Sequence, residues 1–361
     1  MAKQRVVILF GGASSEHSIS CATASGVLSA IDRSKYEVIP VGITRDGVFV
    51  PAEDDIQKWA LTAGDLPEVS FEGKTIIWPS ASGKELKFQD EFGIHSLGEI
   101  DVVFPVLHGP NGEDGTMQGF IELMRIPYVG NGVFASAAGI DKEFSKALFI
   151  AAGLPVTPHV VIHRETWLRD PESTLEKIRS LGSLPLFVKP ARAGSSVGVS
   201  KVKDMAEFAK ALEVAFNEDS KVTVEKGLVG REVECAVLSQ PGGGTPRVSV
   251  AGEIVITSGE FYDFDAKYRD PDAAKLICPA ELTEAELTEM QALARRAFNA
   301  LGCFGLARAD FFLAKDGFFL NELNLMPGFT PISMYPKCWE ASGVSYPDLI
   351  DELIQLAFER S

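Results

Sequence analysis

In the segment FFLNELNLMPGFT, residues 318–330, a carboxylate (Glu322) and an amide (Asn324) stand two positions apart in a largely apolar run. Side chains of a strand alternate between faces, so these two share one face with Leu320, while Phe319, Leu323 and Leu325 take the other. Upstream, LARADFFLAKDG repeats the pattern, and Lys315, Asp316 and Gly317 suit a three-residue hairpin loop whose glycine accepts the left-handed conformation of a bulge. Ala314 then pairs with Phe318, which sets Asp310 opposite Glu322 and Arg308 opposite Asn324 on one face; a two-residue loop would break that alignment. Asp310, Glu322 and Asn324 are hard oxygen donors of the kind Mg²⁺ takes together with waters and phosphates. Arg308 beside them would clamp developing negative charge. Taken alone, the pattern is equally that of an amphipathic hairpin with its polar face to water.

Three further segments carry chemistry of the same kind. LFVKPARAGSSVGVSKV sets Lys189 at a strand end before a loop holding Gly194, Ser195, Ser196 and Gly198, whose backbone N–H groups can wrap phosphate oxygens. It is not a Walker A loop, because GxxxxGK[ST] occurs nowhere and the next element reads as a strand. VTVEKGLVGREVECAVL places Glu225 and Lys226 at a strand end and Glu232 at the start of the next, a crossover suited to an adenine slot or to plain surface charge. GGASSEHSIS puts Glu16 at a helix start, where the dipole favours a carboxylate and where it could grip a substrate ammonium. His17 and His108 are single histidines, more often structural than substrate-contacting, and Lys142 beside Asp141 at a helix start is unremarkable alone. A lysine-bearing glycine loop, an acidic hinge and a hairpin of oxygen donors together imply ATP and phosphoryl transfer.

The elements that must position these groups divide the chain into α/β and α+β parts. Residues 5–140 alternate strand and helix (RVVILF, a helix over 18–31, EVIPVGI, DVVFPVLH, TMQGFIELMR, IPYVG), which predicts a doubly wound parallel sheet with GGASSEHS and HGPNGEDG at the ligand-binding carboxyl ends. Residues 51–99 mix turns and short strands. A second unit, 141–226, has strands at HVVIH, LFVKP, VGVSKV and KVTVEK; the third, 227–361, has REVECAVL, RVSVAGEIVI, a charged loop over 260–282, the metal hairpin and a C-terminal helix. Thr283 and Glu286 form a capping box opening a helix whose apolar stripe is Leu287, Met290, Ala294, Phe298 and Leu301, ended by Gly302. The net charge of −16 argues against a nucleic-acid partner, and no apolar stretch is long enough to span a bilayer. The N-terminal run reads as a strand rather than a signal peptide. Cys21, Cys235, Cys278, Cys303 and Cys338 show no CxxC spacing, so neither zinc nor a disulfide framework is suggested and a cytoplasmic location fits.

In order along the chain, LFGGASSEHSIS, LHGPNGEDGTMQG, DKEFSKALF, VKPARAGSSVGVSKV, EKGLVGREVECAVL, FYDFDAKY, GLARADFFL and NELNLMPGFTPISMYP resemble the D-alanine–D-alanine ligase family of the ATP-grasp superfamily. The resemblance implies an ATP-grasp fold with an N-terminal Rossmann-like domain. It implies that ATP phosphorylates one D-alanine and that the amine of a second attacks the acyl phosphate, giving D-alanyl-D-alanine for peptidoglycan precursors. By position, Lys142, Lys189 and Lys267 would neutralise phosphates, and Glu225, Lys226 and Glu232 would hold adenine and ribose. Asp310, Glu322 and Asn324 would bind two Mg²⁺ (or Mn²⁺) ions. Arg308 and the Gly328 N–H would meet the oxyanion, and Ser333 and Met334 the second D-alanine carboxylate. Glu16, linked to Ser195 and Tyr268, would take the first ammonium and fasten a lid, with His108 at the substrate. A homodimer is the family's habit. Tyr268 in DAKY marks a dipeptide maker, since relatives that make D-alanyl-D-lactate commonly use histidine there; a D-lactate or D-serine ligase of the same fold is the alternative. Ala193, Phe264 and Leu325 depart from the family's frequent residues, which touches loop packing and substrate affinity. A nucleotide-binding regulator with a dead site would lack a metal ligand or Arg308, and neither is missing.

Overall fold

The computed structural model describes residues 2–61, 66–80, 83–194, 196–257, 274–330 and 332–360. Ser195, Phe264, Lys267 and Tyr268 lie outside the described residues. Strand β1 (Gln4–Gly11) leads through α1 (His17–Ala30) to β2 (Tyr36–Ile43) and β3 (Phe49–Pro51). After the short α2 (Ile56–Trp59) come β4 (Thr75–Ile77), β5 (Glu85–Asp90) and β6 (Gly93–Glu99), then β7 (Val102–Pro105), α3 (Thr116–Met124) and α4 (Val133–Ile140). The first sheet has the order β3-β2-β1-β7, with β1 parallel to both neighbours. Val6 to Phe10 have no exposed surface, as an unbroken apolar run requires when both faces of a parallel strand are covered. Two details differ from expectation. The edge strand β3 is antiparallel, because a tight turn with Gly47 at φ +83° folds it straight back on β2. IPYVG adds only a single bridge, Tyr128 to Val103, rather than a strand. The stretch the sequence left open contains a small antiparallel sheet, β4-β5-β6.

The middle of the chain runs α5 (Lys142–Ala151), β8 (His159–His163), α6 (Arg164–Arg169), α7 (Pro171–Arg179), β9 (Leu186–Pro190), β10 (Ser200–Val202), α8 (Phe208–Glu218) and β11 (Lys221–Lys226). Its antiparallel sheet, ordered β10-β9-β11-β8, covers a core of Val188, Leu212, Val222 and Val224. There follow β12 (Gly230–Gln240), β13 (Gly244–Ile256), β14 (Ala274–Ile277), α9 (Glu284–Ala300), β15 (Leu306–Ala314), β16 (Gly317–Asn324), α10 (Met334–Ala341) and α11 (Tyr346–Ala357). The sheet order is β14-β13-β12-β15-β16. The predicted capping box of Thr283 and Glu286 opens α9, and Gly302 at φ +63° follows its last turn. Met290, Ala294, Phe298 and Leu301 lie against Cys235, Val237, Ala309 and Phe311, each large side chain contributing about 1.5–3 kcal/mol by leaving water. Helix α11 sends Leu349, Ile350, Leu353 and Ile354 into one core with Val6, Ile8 and Phe104, so the C-terminal helix closes the N-terminal sheet.

In the β15–β16 hairpin, Asp310 faces Glu322 and Arg308 faces Asn324, as the spacing predicts. The route to that register is different. Ala314 pairs with Gly317, leaving the two-residue loop Lys315–Asp316, and a β-bulge at Asn321 absorbs the odd residue. The bulge also corrects the assignment of faces: Leu320 lies in the core with Phe318 and Leu323, not beside Glu322. It releases Asn321 from the ladder and turns its side chain toward the neighbouring lysines, 3.3 Å from Lys189 Nζ.

Candidate active site

A cleft of about 480 Å³ opens between the first sheet, the β8–β11 sheet and the hairpin. Every described candidate residue lines it: Glu16 and His108 from the N-terminal sheet, Lys142, Lys189, Glu225 and Lys226 from the middle, and Glu232, Arg308, Asp310, Glu322, Asn324, Gly328, Ser333 and Met334 from the last part.

At one end, Glu16 stands at the N-cap position of α1, makes no capping hydrogen bond with its side chain and is buried. A Cβ at Gly109 would come within 2.7 Å of its carboxylate, and one at Gly194 within 2.8 Å, so glycines from two separate loops admit this side chain. Ser14 Oγ donates to the His108 carbonyl at 2.7 Å, and His108 Nε2 meets Thr23 Oγ1 at 2.9 Å. Burial pushes the His108 imidazole down to about 4, so near neutral pH it acts as an uncharged hydrogen-bonding group. His17 is structural: its ring nitrogens meet the Gly12 carbonyl at 2.6 Å and the Val69 N–H at 2.9 Å.

Sequence reasoning missed Glu113, in the same HGPNGEDG loop. Its carboxylate accepts from the N–H of Gly109 at 2.7 Å and from that of Met326, just past β16, at 3.2 Å. Burial and the Glu16 charge push its pKa up to about 8, against the pull of those two N–H groups. Glu113 thus ties the loop of His108 to the end of the β15–β16 hairpin.

The middle of the cleft is organised by Glu225, 2% exposed, with Lys189 Nζ at 2.8 Å on one oxygen and Lys146 Nζ at 3.1 Å on the other. Burial alone would raise its pKa; the two ammonium groups overcome that and hold it at about 2. Lys146, 1% exposed and 3.1 Å from the Asn321 carbonyl, was not singled out from the sequence. Lys142 donates to the Ala193 carbonyl at 3.0 Å and lies 3.3 Å from Glu322, joining the glycine loop to the hairpin. Lys142 and Lys189 therefore line the cleft beside the glycine loop, where phosphate charge could be met, with Lys146 buried behind them. Lys226 and Glu232 line the cleft where β11 gives way to β12.

On the hairpin, Arg308 Nε and Nη2 each donate to Asp310 at 2.7 Å, and Nε lies 2.9 Å from Glu234 on the adjoining β12. Burial disfavours the charged guanidinium, but Asp310 and Glu234 more than offset it and raise its pKa. Glu234, buried and opposite Asp310 in the ladder, is the second residue the sequence reading passed over. The donor set fits Mg²⁺: Asp310, Glu322 and Asn324 present oxygens from one patch, and buried Asn324 Oδ1 has no hydrogen-bond partner, as an oxygen kept for a cation would. Among the described residues no three His, Cys, Asp or Glu side chains form a metal cluster, so any ion here draws on this pair of carboxylates, the amide and non-protein oxygens. Past the hairpin, a Cβ at Gly328 would sit 2.9 Å from Ser333 Oγ, so glycine keeps that approach open. Ser333 stands at the N-terminus of α10, and Met334 rests its thioether on Gly252.

Comparison with known proteins gives this arrangement its class. The family model described as D-ala D-ala ligase N-terminus matches residues 5–131, and that described as D-ala D-ala ligase C-terminus matches residues 148–355. The D-alanine–D-alanine ligases of Arthrobacter sp. (strain FB24) and Streptomyces coelicolor are each 50% identical over 99% of this chain and 95% and 93% of their own lengths. Among solved structures, the VanG D-Ala:D-Ser ligase from Enterococcus faecalis superposes with a TM-score of 0.81 at 34% identity, covering 99% of this chain and 100% of that one. The D-alanine-D-alanine ligase from Coxiella burnetii gives 0.82 at 33% identity, covering 100% and 95%. The molecule is an ATP-dependent ligase of ATP-grasp fold. The chain belongs to the D-alanine–D-alanine ligase family, which serves peptidoglycan precursor synthesis. Among the described residues, no helix is long and apolar enough to cross a membrane.

Proposed function

We propose that the protein joins two molecules of D-alanine into D-alanyl-D-alanine while ATP is cleaved to ADP and phosphate. The observation that carries this reading is that one cleft brings together a buried carboxylate, Glu16, Lys142 and Lys189 beside the glycine loop, and Arg308 with the oxygens of Asp310, Glu322 and Asn324. The first D-alanine sets its ammonium on Glu16, in a hydrogen-bonded set that includes Ser195 and Tyr268, and turns its carboxylate toward the lysines. Glu225, Lys226 and Glu232 line the nucleoside end, and Lys142, Lys189 and Lys267 neutralise the phosphates. Transfer of the γ-phosphoryl group to a carboxylate oxygen gives an acyl phosphate and ADP. The amine of the second D-alanine, held by Ser333 and Met334 at a helix N-terminus, attacks the acyl carbon, where Arg308 and the Gly328 N–H balance the oxyanion. The C–O bond then breaks, phosphate leaves and the amine loses its proton. Asp310, Glu322 and Asn324 would hold Mg²⁺ as two ions, with Mn²⁺ as substitute, and the cations would offset phosphate charge.

The division into units 1–140, 141–226 and 227–361, a cytoplasmic location and a homodimer belong to the same proposal; sedimentation as two chains per particle checks the last. A second reading, a D-alanine–D-serine ligase, is supported by the likeness to the Enterococcus faecalis enzyme. Phosphate release measured with D-alanine alone, and with D-alanine plus D-serine or D-lactate, separates the two, with products weighed by mass spectrometry. Turnover with D-alanine alone is expected; turnover only in the mixtures would overturn the dipeptide reading.

A further inference from the structure

Cys278 and Cys338 are 60 residues apart in the sequence, yet their Sγ atoms lie 3.7 Å apart. One belongs to the loop after β14, the other to the first turns of α10, and the elements are held in register by independent contacts. Residue 277 pairs with Glu253 on β13, and the Ala280 N–H reaches the Ala251 carbonyl at 2.7 Å. Met334, one helical turn before Cys338 on the same face of α10, rests on Gly252 of that strand. Disulfide sulfurs sit at about 2.05 Å, so a modest inward shift would bring these two to bonding distance. We propose that Cys278 and Cys338 form a reversible thiol–disulfide site, closed by a hydroperoxide, that fixes α10 to β14 and so slows the ligase.

The exposures assign the roles. Cys278 is half-buried and Cys338 buried, so the oxidant meets Cys278 first. The hydrogen bond with Cys338 and the nearby Lys337 charge hold Cys278 below the ordinary thiol range despite burial, whereas burial pushes the Cys235 thiol up. The Cys278 thiolate attacks one peroxide oxygen, the O–O bond breaks and hydroxide leaves, giving a sulfenic acid. The Cys338 thiol then attacks that sulfur, the S–S bond forms and water leaves, so that two electrons pass from the sulfurs to the peroxide. Drawing Cys338 toward Cys278 moves the turn that carries Met334 and Ser333. A displacement near 1 Å at a substrate-positioning group can lower turnover by roughly tenfold to a hundredfold.

The chemical half of this inference does not depend on the ligase reading. Reduced protein is treated with hydrogen peroxide, denatured without reductant, alkylated with N-ethylmaleimide and digested with trypsin, which places Cys278 in 276–295 and Cys338 in 338–360. The expected product is these two peptides joined with loss of two hydrogens and separated again by dithiothreitol. In parallel, kcat/KM for D-alanine falls and dithiothreitol restores it, while Cys278→Ser keeps its activity in peroxide. Full alkylation of both peptides, a sulfinic acid on Cys278 with Cys338 still a thiol, or a bond from Cys338 to Cys235 would overturn the site. A cross-link that leaves kcat/KM unchanged would overturn its effect on the enzyme. The wild-type measurement stands even if the variant folds poorly.

Discussion

Two charged clusters share the cleft and are built on opposite plans. Around Glu225, both ammonium partners and the carboxylate are withdrawn from water and each carboxylate oxygen faces an ammonium, so the cluster is held together by its own charges. On the hairpin, Glu322 keeps a side-chain exposure of 37% and Asn324 leaves a buried oxygen without a partner. The first plan makes the fold depend on the charges, because removing one member leaves others buried and uncompensated. The second turns acceptors toward the cleft, so the fold tolerates their loss while the chemistry does not.

The largest expected effect breaks the closed cluster. Glu225→Gln strands two lysine charges and should lower stability by about 3–5 kcal/mol, read from urea unfolding. Because Glu225 is held at about 2, its contribution is present above the ordinary value of 4.5 and is lost as pH falls from there toward about 2. The variant should lack that acid limb. On the hairpin, Glu322→Gln should leave stability within about 1 kcal/mol, since the ion pair with Lys142 is partly exposed. Its ADP formation should fall on the order of a thousandfold, the equivalent of several kcal/mol of charge stabilisation. A smaller effect would sharpen the account of Arg308: Glu234→Gln keeps the shape but frees one side of the guanidinium, and kcat should drop roughly tenfold with KM for ATP unchanged. An equal change in both would make Glu234 merely structural. The smallest is a control away from both clusters, Thr283→Ala, which loses the cap of α9 and should cost about 1 kcal/mol with activity intact.

The sequence made the open cluster more legible than the closed one. Asp310, Glu322 and Asn324 interrupt apolar strands at spacings that local geometry converts into a shared face. Even there the bulge at Asn321 was hidden, because a two-residue loop with a bulge and a three-residue loop without one end in the same register at Asp310. Lys146 and Glu234 escaped for a different reason. Each sits where a lone charge on a helix or strand reads as solvated, and each is buried by partners brought from elsewhere: Glu225 on β11 for Lys146, and Arg308 on β15 for Glu234. Glu113 had a local signal, its place in a glycine-rich loop at a strand end, but its second contact, the Met326 N–H, comes from 213 residues further along the sequence. The capping box of α9 and the apolar run of β1 were fully readable because nothing distant decides them.

The central claim is tested most directly by following D-alanine-dependent ADP release across a Mg²⁺ titration, in the wild-type protein and in Glu322→Gln with its fold checked by unfolding. The account predicts saturable release in the wild type that requires both D-alanine and Mg²⁺, and near-complete loss in the equally stable variant. Release that persists in the variant, or that is indifferent to Mg²⁺, would contradict it.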